Sequence, residues 1–365
     1  MTDLPDQPAA EMLCPACRQS VVVGDAFCES CGTTLVTTAH GAGEVPSTDP
    51  HESFPIPRTT QSQAPGVAEV CLECGGAVLD DGFCSQCGQK APSPRDHWQE
   101  SPVEWIGGVC DKGIVHARNE DAMALAGLPD RSLAVLVVCD GVTSAPDSDR
   151  AALAAARDAC TALVATPVPI VDGAAALISA WSNALISACA AANTAAVAVA
   201  RSLGNPSEPP SCTFVAAVLH RDRVTVGWCG DSRAYWLPDE GDATQLMVDH
   251  SLGTALLASG VSQAEAERDP AFHTITSWLG ADSVDATPEI TSHQLHSPGW
   301  LLVCSDGLWN YATSVAAMNA LVVRLVSEGH ETPVALAGAL VKWANAQGGH
   351  DNITAALARH EPSLR

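Results

Sequence analysis

The chain alternates, from about residue 103 onward, between short apolar runs and longer Ala-rich stretches. Short runs bounded by turn residues, such as "RSLAVLVVCDG" and "GWLLVCSDGLW", are typical of buried strands. The stretch 212–237 predicts consecutive strands with turns at Arg221 and Asp222 and near Gly230. "DNITAALARH" predicts a closing strand. Helices are predicted at 148–165, 172–202, 313–328 and 332–346.

Strand pairs joined by tight turns, with helices grouped between them, indicate an α+β fold. A parallel doubly wound sheet would instead alternate strand and helix throughout. We therefore expect an antiparallel α+β sandwich over 103–361. The residues before it include two segments that predict linkers. Residues 36–68 are rich in Pro, Ser, Thr, Gly and Gln and predict a flexible linker, and 91–102 predict a second, shorter linker.

Cysteines mark two small modules ahead of the large domain, at 11–35 and 69–90. Eight of the fifteen cysteines lie in the first 87 residues as four C-x-x-C pairs. This spacing fits two tetrathiolate sites for structural Zn²⁺, and "GDAFCESCG" and "DDGFCSQCG" show that the two units repeat. Disulfides and redox centres are the alternatives, disfavoured by the expected reducing compartment and by the absence of a βαβ context. The predicted zinc ligands are Cys14, Cys17, Cys28 and Cys31 in the first ribbon, and Cys71, Cys74, Cys84 and Cys87 in the second.

Composition and charge exclude several function classes. Of the 365 residues, 47% are hydrophobic and 16% are charged, which supports a substantial core. The net charge of −24 argues against binding to nucleic acid or to an anionic membrane. Arg18 is the only Lys or Arg between positions 1 and 57, so the ribbons are not expected to read nucleic acid. The first residues show no signal peptide, and we expect a cytoplasmic protein.

Carboxylates at the ends of apolar strands are the main chemical signal. Two buried strands end in the dipeptides Asp140–Gly141 and Asp306–Gly307, and Asp351 precedes the last strand. Several converging carboxylates form a site for Mg²⁺ or Mn²⁺, and two ions in such a site can promote phosphoryl displacement. Asp-Gly is also a common turn, and for any one of these positions alone the turn is the favoured interpretation.

At this point the sequence resembles a known family. The stretches "GIVHARNEDAM", "VVCDGV", "SCTFVAAVL", "VGWCGDSRAYWL", "LMVDHSL", "TSWLG", "LLVCSDGLWNY" and "GGHDNIT" occur in the order found in PPM-type metal-dependent Ser/Thr protein phosphatases (protein phosphatase 2C), and look like its bacterial branch. The resemblance spans about 105–360. It implies an α-β-β-α sandwich of two antiparallel sheets flanked by helices, with a dinuclear Mn²⁺ or Mg²⁺ site that activates water to hydrolyse phosphoserine or phosphothreonine.

The resemblance also implies roles for individual residues. Asp140 matches the carboxylate that bridges two metals, and Asp306 and Asp351 match further ligands of the first metal. Gly141 and Glu120 match ligands of the second metal, Glu120 largely through water. The remaining matches are Asp121 as an outer neighbour, and Asp231 as a ligand of a weaker third metal, for which we keep an alternative structural role open.

Three departures from the family pattern affect the expected chemistry. His116 stands where the family has a phosphate-binding Arg, and an Arg follows two residues later, at Arg118. After Asp140 the usual Gly-Met-Gly-Gly is replaced by residues 141–144, Gly-Val-Thr-Ser. Asn310 replaces an acidic third-metal ligand, so a third ion should bind weakly or not at all.

The motif "GIVHARNEDAM" does not show which of His116 and Arg118 contacts the phosphate. If it is extended, His116, Arg118 and Glu120 share one face. Arg118 can then supply the guanidinium for phosphate, while His116 binds phosphate, protonates the leaving oxygen, or is a plain hydrogen-bonded histidine.

No core metal ligand is replaced, so the sequence favours an active enzyme over a catalytically weak or inactive phosphoprotein-binding module. Its expected partners are phosphoproteins made by cytosolic Ser/Thr kinases, and a protein that docks on the ribbons.

Overall fold

The structure is a computed structural model. It describes residues 74–79, 82–88, 91, 93–142, 146–171 and 173–362, together with the backbone of two short strands at 11–13 and 20–22. The chain divides into two compact units, Met1–Ser53 and Phe54–Arg365. In the first unit the two strands pair antiparallel as β1 (Glu11–Leu13) and β2 (Ser20–Val22). The predicted ligands Cys14, Cys17, Cys28, Cys31 and Cys71, and the linker 36–68, lie outside the described residues.

The second unit contains a domain of strands and helices that alternate in groups. In chain order the elements are β3 (His97–Val103), β4 (Ile106–Asp111), β5 (Ala122–Gly127), β6 (Leu133–Cys139), α1 (Ser148–Ala165), α2 (Ala174–Ser202), β7 (Ser211–Cys212), β8 (Phe214–His220), β9 (Arg223–Cys229), β10 (Arg233–Pro238), β11 (Thr244–Gln245), α3 (Leu252–Ala258), α4 (Gln263–Ala266), β12 (Leu279–Gly280), β13 (Glu289–Gln294), β14 (Gly299–Cys304), α5 (Asp306–Trp309), α6 (Val315–Ser327), α7 (Pro333–Gln347) and β15 (Ile353–His360).

Two antiparallel sheets form the centre of this domain. One has the strand order β11-β10-β14-β15-β4-β3, and the other has the order β13-β9-β8-β6-β5. A small extra pair is made by β7 and β12. Every strand pairing in the described residues is antiparallel, as the tight turns of the sequence predict.

Three layers of buried apolar side chains explain why the central strands read as continuous hydrophobic runs. In β6, Leu133, Val135 and Val137 face the layer under α1 and α2, whereas Leu136 and Val138 face the layer between the two sheets. A strand buried on both faces has no polar side, which is what its sequence shows. A third layer packs β14 and β15 against α5, α6 and α7. The order helix, sheet, sheet, helix confirms the predicted α-β-β-α sandwich.

The four predicted helices are confirmed with small shifts at their ends. Ser314 and Thr332 accept hydrogen bonds from Ala317 N–H and Ala335 N–H as N-caps of α6 and α7. By length and composition alone α2 could cross a membrane, but 44% of its most apolar window is buried inside the domain. The core helix of a soluble protein passes the same test, so this is weak evidence for a membrane span.

Two expectations at the start of the domain are wrong. The segment 91–102 was predicted to be a linker, but His97–Val103 forms β3, which pairs with β4 at the edge of a sheet. Its sequence is mostly polar because only alternate side chains are shielded from solvent. The motif around Glu120 is likewise not an extended strand: residues 112–121 form an irregular loop, and β5 begins only at Ala122.

The edge strand contains a group that makes stability depend on pH. Burial raises the pKa of the Glu100 carboxyl from about 4.5 to about 7, although the Leu125 N–H donates to its Oε2 at 3.0 Å. A group whose pKa is raised in the folded state stabilises the fold fully when the pH is below its pKa in the unfolded chain, here about 4.5. That stabilisation is lost as the pH rises through the folded-state pKa of about 7. Glu100→Gln keeps an acceptor and removes the charge.

We expect the free energy of unfolding of Glu100→Gln to exceed that of the wild type by up to about 3 kcal/mol at pH 8, at ~1.4 kcal/mol per pKa unit. At pH 4.5 the two proteins should be alike. Urea denaturation at the two pH values measures this difference, with the exposed Glu104→Gln as the matched control. A gain that does not depend on pH would show that the charge of Glu100 is not its cause.

Candidate active site

Four carboxylates meet where strands of both sheets end. Asp140 directly follows β6, and Asp231 lies between β9 and β10. Asp306 is the first residue of α5, directly after β14 and Ser305, and Asp351 precedes β15. β14 and β15 are antiparallel, and Cys304 pairs with Ala355. The last residues of β14 and the first residues of β15 therefore lie at the same end of the sheet. The structure therefore brings together all four predicted aspartates.

Burial and mutual repulsion make these carboxylates unfavourable as a set of free anions. Burial raises the pKa of Asp140 well above its usual value, and the charges of Asp121, Asp306 and Asp351 raise it further. Burial, together with Asp351, raises the pKa of Asp306 to about 6. Burial and the charge of Asp306 also raise the pKa of Asp231. Such a cluster is stabilised by cations in its midst.

Hydroxyl groups beneath Asp140 fix its position. The Asp140 N–H donates to the Thr213 hydroxyl at 3.0 Å, and the Thr213 N–H donates to the Asp140 carbonyl at 2.8 Å. The Thr213 and Ser232 hydroxyls are 2.7 Å apart. Gly141 is required by close packing, because a Cβ there would lie 2.7 Å from the Glu120 carbonyl oxygen. Gly141 and Glu120, the two residues matched to the second metal, are thus neighbours.

Glu120 is buried, and its carboxylate is held from two sides. The Arg118 Nε and Nη2 atoms lie 2.9 Å and 2.8 Å from its Oε1, and the Ser148 hydroxyl donates to the same oxygen at 2.8 Å. Sequence reasoning expected Arg118 to be available for phosphate. The structure instead commits two of its nitrogens to Glu120, although the side chain remains 45% exposed. Arg118 therefore has a structural partner within the same irregular loop, two residues along the chain.

His116 lies beside a predicted metal ligand. Its Nε2 is 3.3 Å from Asp351 Oδ1, and the imidazole is partly exposed. This contact places His116 at the edge of the carboxylate cluster and next to solvent. His116, Arg118 and Glu120 therefore all touch the site, each through a different partner.

Asn352 connects the motif loop to the last turn. Its Oδ1 accepts from Glu120 N–H at 2.7 Å, and its Nδ2 donates to the carbonyls of Lys112 and Arg118 at 2.7 Å and 3.1 Å. The Asn352 N–H also donates to Asp351 Oδ1 at 2.8 Å. Asn352 thus organises the turn at Asp351. Its larger role is to join two segments more than 230 residues apart.

Asp121 has the structural role of an outer neighbour. Its Oδ2 accepts hydrogen bonds from the Ser305 and Thr354 hydroxyls at 2.6 Å and 2.7 Å. Burial raises its pKa to about 7. These contacts connect the start of β5 to the residue that precedes Asp306, so the segments holding the ligands form one bonded unit.

Asn310, the residue expected to weaken a third metal site, forms a hydrogen bond with a carboxylate of the cluster. Asn310 Nδ2 donates to Asp306 Oδ2 at 3.1 Å. Asp231 is 7% exposed, and its carbonyl accepts from the Trp309 indole at 3.0 Å. Asn310 is thus turned toward Asp306, and weak or absent binding of a third ion stays a prediction.

The donor set fits hard divalent cations. It offers carboxylate oxygens from three strand ends and no soft ligand, which suits Mn²⁺ or Mg²⁺. Among the described residues, neither Asp140 nor Asp306 forms an ion pair with Lys or Arg. Two dications would therefore supply the positive charge that this cluster otherwise lacks.

Three of the four predicted cysteine ligands of the second ribbon lie in the described residues, and they are close together. The sulfur atoms of Cys74, Cys84 and Cys87 all lie within 4.8 Å of one another. Main-chain N–H groups of Cys87 and Gln86 lower the pKa of the Cys84 thiol to about 6. Clustered sulfurs, one of them a favoured thiolate, fit a Zn²⁺ site.

The contact between Ser148 and Glu120 was not predicted from the sequence. Ser148 is the first residue of α1 and lies 28 residues from Glu120 along the chain. No spacing rule connects the two, and only the packing of α1 against β5 and β6 brings them together. Because "SAPDSDRAAL" also reads as an ordinary helix start, the sequence offered no separate signal.

Comparison with known proteins gives the same assignment. Residues 114–344 match the family model described as "Protein phosphatase 2C", and 14–88 match "Double zinc ribbon". The serine/threonine phosphatase stp of Listeria welshimeri is 33% identical over 148 residues, which is 40% of this chain and 55% of that protein. The chain thus spans about half the length of the curated relatives it matches.

Solved structures share the fold. The serine/threonine phosphatase of S. agalactiae superposes with a TM-score of 0.56 at 24% identity, covering 72% of this chain and all of that chain. The catalytic domain of the phosphatase PstP in complex with two manganese ions gives a TM-score of 0.51 at 24% identity, covering 70% and 98%. The chain shares the fold of these structures, and the family model covers more than half of its residues. The chain belongs to the protein phosphatase 2C family.

Proposed function

We propose that this protein is a Mn²⁺- or Mg²⁺-dependent phosphatase that hydrolyses phosphoserine and phosphothreonine in proteins. The observation that carries the proposal is the convergence of Asp140, Asp231, Asp306 and Asp351 on one edge, beside Glu120. Family membership supports the reaction class, and the manganese complex of the related PstP domain supports the choice of ion.

The residues divide into those that hold ions and those that orient the ion-binding groups. Asp140, Asp306 and Asp351 are proposed to hold one ion, and Asp140, Gly141 and Glu120 the other. The ions supply charge neutralisation and water activation when they are bound. Arg118 and Ser148 hold Glu120 in one orientation, so its carboxylate is preorganised. The exposed part of the Arg118 guanidinium remains available to a phosphate oxygen.

The zinc ribbons are proposed to dock a partner or substrate protein. Eight cysteines in four C-x-x-C pairs support two Zn²⁺ ions, and the shortage of Lys and Arg near them favours a protein over a nucleic acid. Thiolate sites of this kind persist in a reducing compartment, so the proposed location is the cytoplasm, where Ser/Thr kinases generate the substrates. Pull-down with the ribbon region and with a Cys74→Ser, Cys84→Ser variant tests the docking role.

Phosphate release tests the proposed reaction. We expect the purified full chain to release inorganic phosphate from a phosphothreonine peptide in Mn²⁺, and to release none when Mn²⁺ and Mg²⁺ are omitted. A non-catalytic phosphoprotein-binding module on the same fold would bind the peptide without turnover, which would contradict the proposal.

His116→Ala separates two roles for the imidazole. As a proton donor to the leaving oxygen, His116 should matter for phosphoserine, a poor leaving group, and little for an activated aryl phosphate. We expect kcat to fall by ~10²-fold with a phosphoserine peptide and by less than ~10-fold with the aryl ester, within the range of general acid catalysis. Equal losses on both substrates would indicate phosphate binding instead. The exposed His296→Ala is the control.

A further inference from the structure

The chain between the second ribbon and β3 carries an arginine whose side chain contacts main-chain groups next to the site. Residues 93–103 precede the part of the chain that matches protein phosphatase 2C. A tight turn starts the segment, in which Ser93 N–H donates to Asp96 Oδ2 at 2.9 Å and Arg95 N–H donates to the Ser93 hydroxyl at 3.2 Å. Lys112 N–H donates to the Asp96 carbonyl at 2.7 Å, which fastens the turn to the end of β4.

The Arg95 guanidinium spans two segments of the site. Its Nη2 donates to the Asp121 carbonyl at 2.7 Å, and its Nη1 donates to the Asp149 carbonyl at 3.1 Å. In return, Asn119 Nδ2 donates to the Arg95 carbonyl at 2.9 Å. A guanidinium presents its donors in a fixed planar fork, so one side chain can set the distance between two carbonyls.

One of these carbonyls belongs to the residue after Glu120, and the other to the residue after Ser148, whose hydroxyl donates to Glu120 Oε1 at 2.8 Å. Arg95 therefore connects the main chain directly after Glu120 to the helix start that carries the Ser148 donor. A metal site requires its ligands to be held within about 0.5 Å of the productive geometry.

We propose that Arg95 is a positioning residue for the divalent cation at Glu120, acting through the main chain of Asp121 and Asp149. The inference rests on the proposed function of the carboxylate cluster. In this role for Arg95, the segment after the second ribbon contributes to metal binding in the catalytic domain. Only six residues separate Gly88 at the end of the ribbon from Arg95, which limits their separation to roughly 25 Å.

Mn²⁺ binding, measured by the EPR signal of free Mn²⁺, tests this role without relying on turnover. We expect Arg95→Ala to raise the Kd of the weaker Mn²⁺ site by ~10- to 100-fold, as is typical when the support of a metal ligand is removed. Arg95→Lys keeps one donor and should restore part of the affinity. In turnover assays, excess Mn²⁺ should recover most of the lost kcat, while KM for an aryl phosphate stays within about 2-fold.

A second arginine provides the matched control. Arg359 also makes two charge-assisted hydrogen bonds, to Asp239 at 2.6 Å each, but it lies six residues into β15 from Ile353, at the opposite end of the strand from the site. Arg359→Ala should lower the melting temperature and leave the Mn²⁺ Kd unchanged.

The idea is overturned if Arg95→Ala binds Mn²⁺ as tightly as the wild type and loses only thermal stability, as Arg359→Ala does. If Arg95→Ala does not fold, Arg95→Lys decides by the same titration. A wild-type protein that binds Mn²⁺ but never hydrolyses a phosphomonoester would contradict the proposed function, and the binding comparison would still decide the role of Arg95.

Discussion

Asp140→Asn should abolish metal-dependent hydrolysis and at the same time make the metal-free protein more stable. Asp140 is the carboxylate at the centre of the cluster, and burial and the charges of four neighbouring aspartates raise its pKa. Replacing it with a neutral amide of the same shape relieves that repulsion, and the same change removes the group proposed to contact both ions. The two effects have opposite signs because the charge that disfavours the empty cluster is the charge that binds metal.

We expect kcat/KM to fall by at least ~10³-fold in saturating Mn²⁺, which corresponds to about 4 kcal/mol of transition-state stabilisation. In buffer without Mn²⁺ or Mg²⁺ the melting temperature should rise, by about 2–4 °C for each kcal/mol gained. Phosphate release in Mn²⁺ measures the loss of activity, and calorimetry with and without Mn²⁺ measures the change in melting temperature.

The exposed Asp242→Asn removes one negative charge in the turn between β10 and β11 and serves as the control. It should change neither activity nor the stabilisation by Mn²⁺. A metal-free Asp140→Asn protein that is less stable than the wild type would show that the charged form of Asp140 stabilises the fold, which would contradict the repulsion inferred for the empty cluster.

Gly307→Ala should damage both the fold and the site. Gly307 follows Asp306, and a Cβ at this position would collide with the main-chain carbonyl of Asn352. Neither side of the contact can yield easily, because Asn352 is held by Glu120, Lys112 and Arg118. One methyl group would therefore push the segments of Asp306 and Asp351 apart.

We expect a loss of roughly 2–4 kcal/mol in the free energy of unfolding, in the range of overpacking a close-packed interior. Activity in saturating Mn²⁺ should fall by ~10-fold or more. Gly338→Ala is a matched control, since its Cβ would have Val109 Cγ2 at 4.0 Å as its nearest neighbour. Within α7 that change should stabilise the protein by up to ~1 kcal/mol. Equal effects of the two substitutions would refute the role assigned to close packing at Gly307.

The elements that the sequence predicted best are those buried on both faces. β6 and β14 were visible because every residue in them is apolar, and α1 was visible because Ala recurs on its packed side. β3 was missed because an edge strand exposes alternate residues, and its polar sequence resembles a linker. The periodic pattern of apolar residues reflects which side chains are buried. An element that faces solvent on one side and has few apolar residues therefore shows no such pattern and is not predicted.

The aspartates of the cluster were predicted from the sequence, but their hydrogen-bond partners were not. Asp140, Asp306 and Asp351 sit at strand ends and in motifs, and both signals are local in the sequence. Arg118 was expected to face phosphate but pairs with Glu120, and the roles of Ser148 and Arg95 depend on how α1 and the segment before β3 pack. Contacts of this kind are set by tertiary packing and have no spacing rule.

The most direct test of the central claim measures metal occupancy and reaction in one titration. Mn²⁺ is added stepwise to the zinc-loaded full chain, with bound Mn²⁺ read by EPR and phosphate release read from a phosphothreonine peptide. We expect two Mn²⁺ ions per catalytic domain, with phosphate release rising as the second ion binds. Hydrolysis by the metal-free protein, or no hydrolysis with both ions bound, would contradict a dinuclear metal-dependent phosphatase.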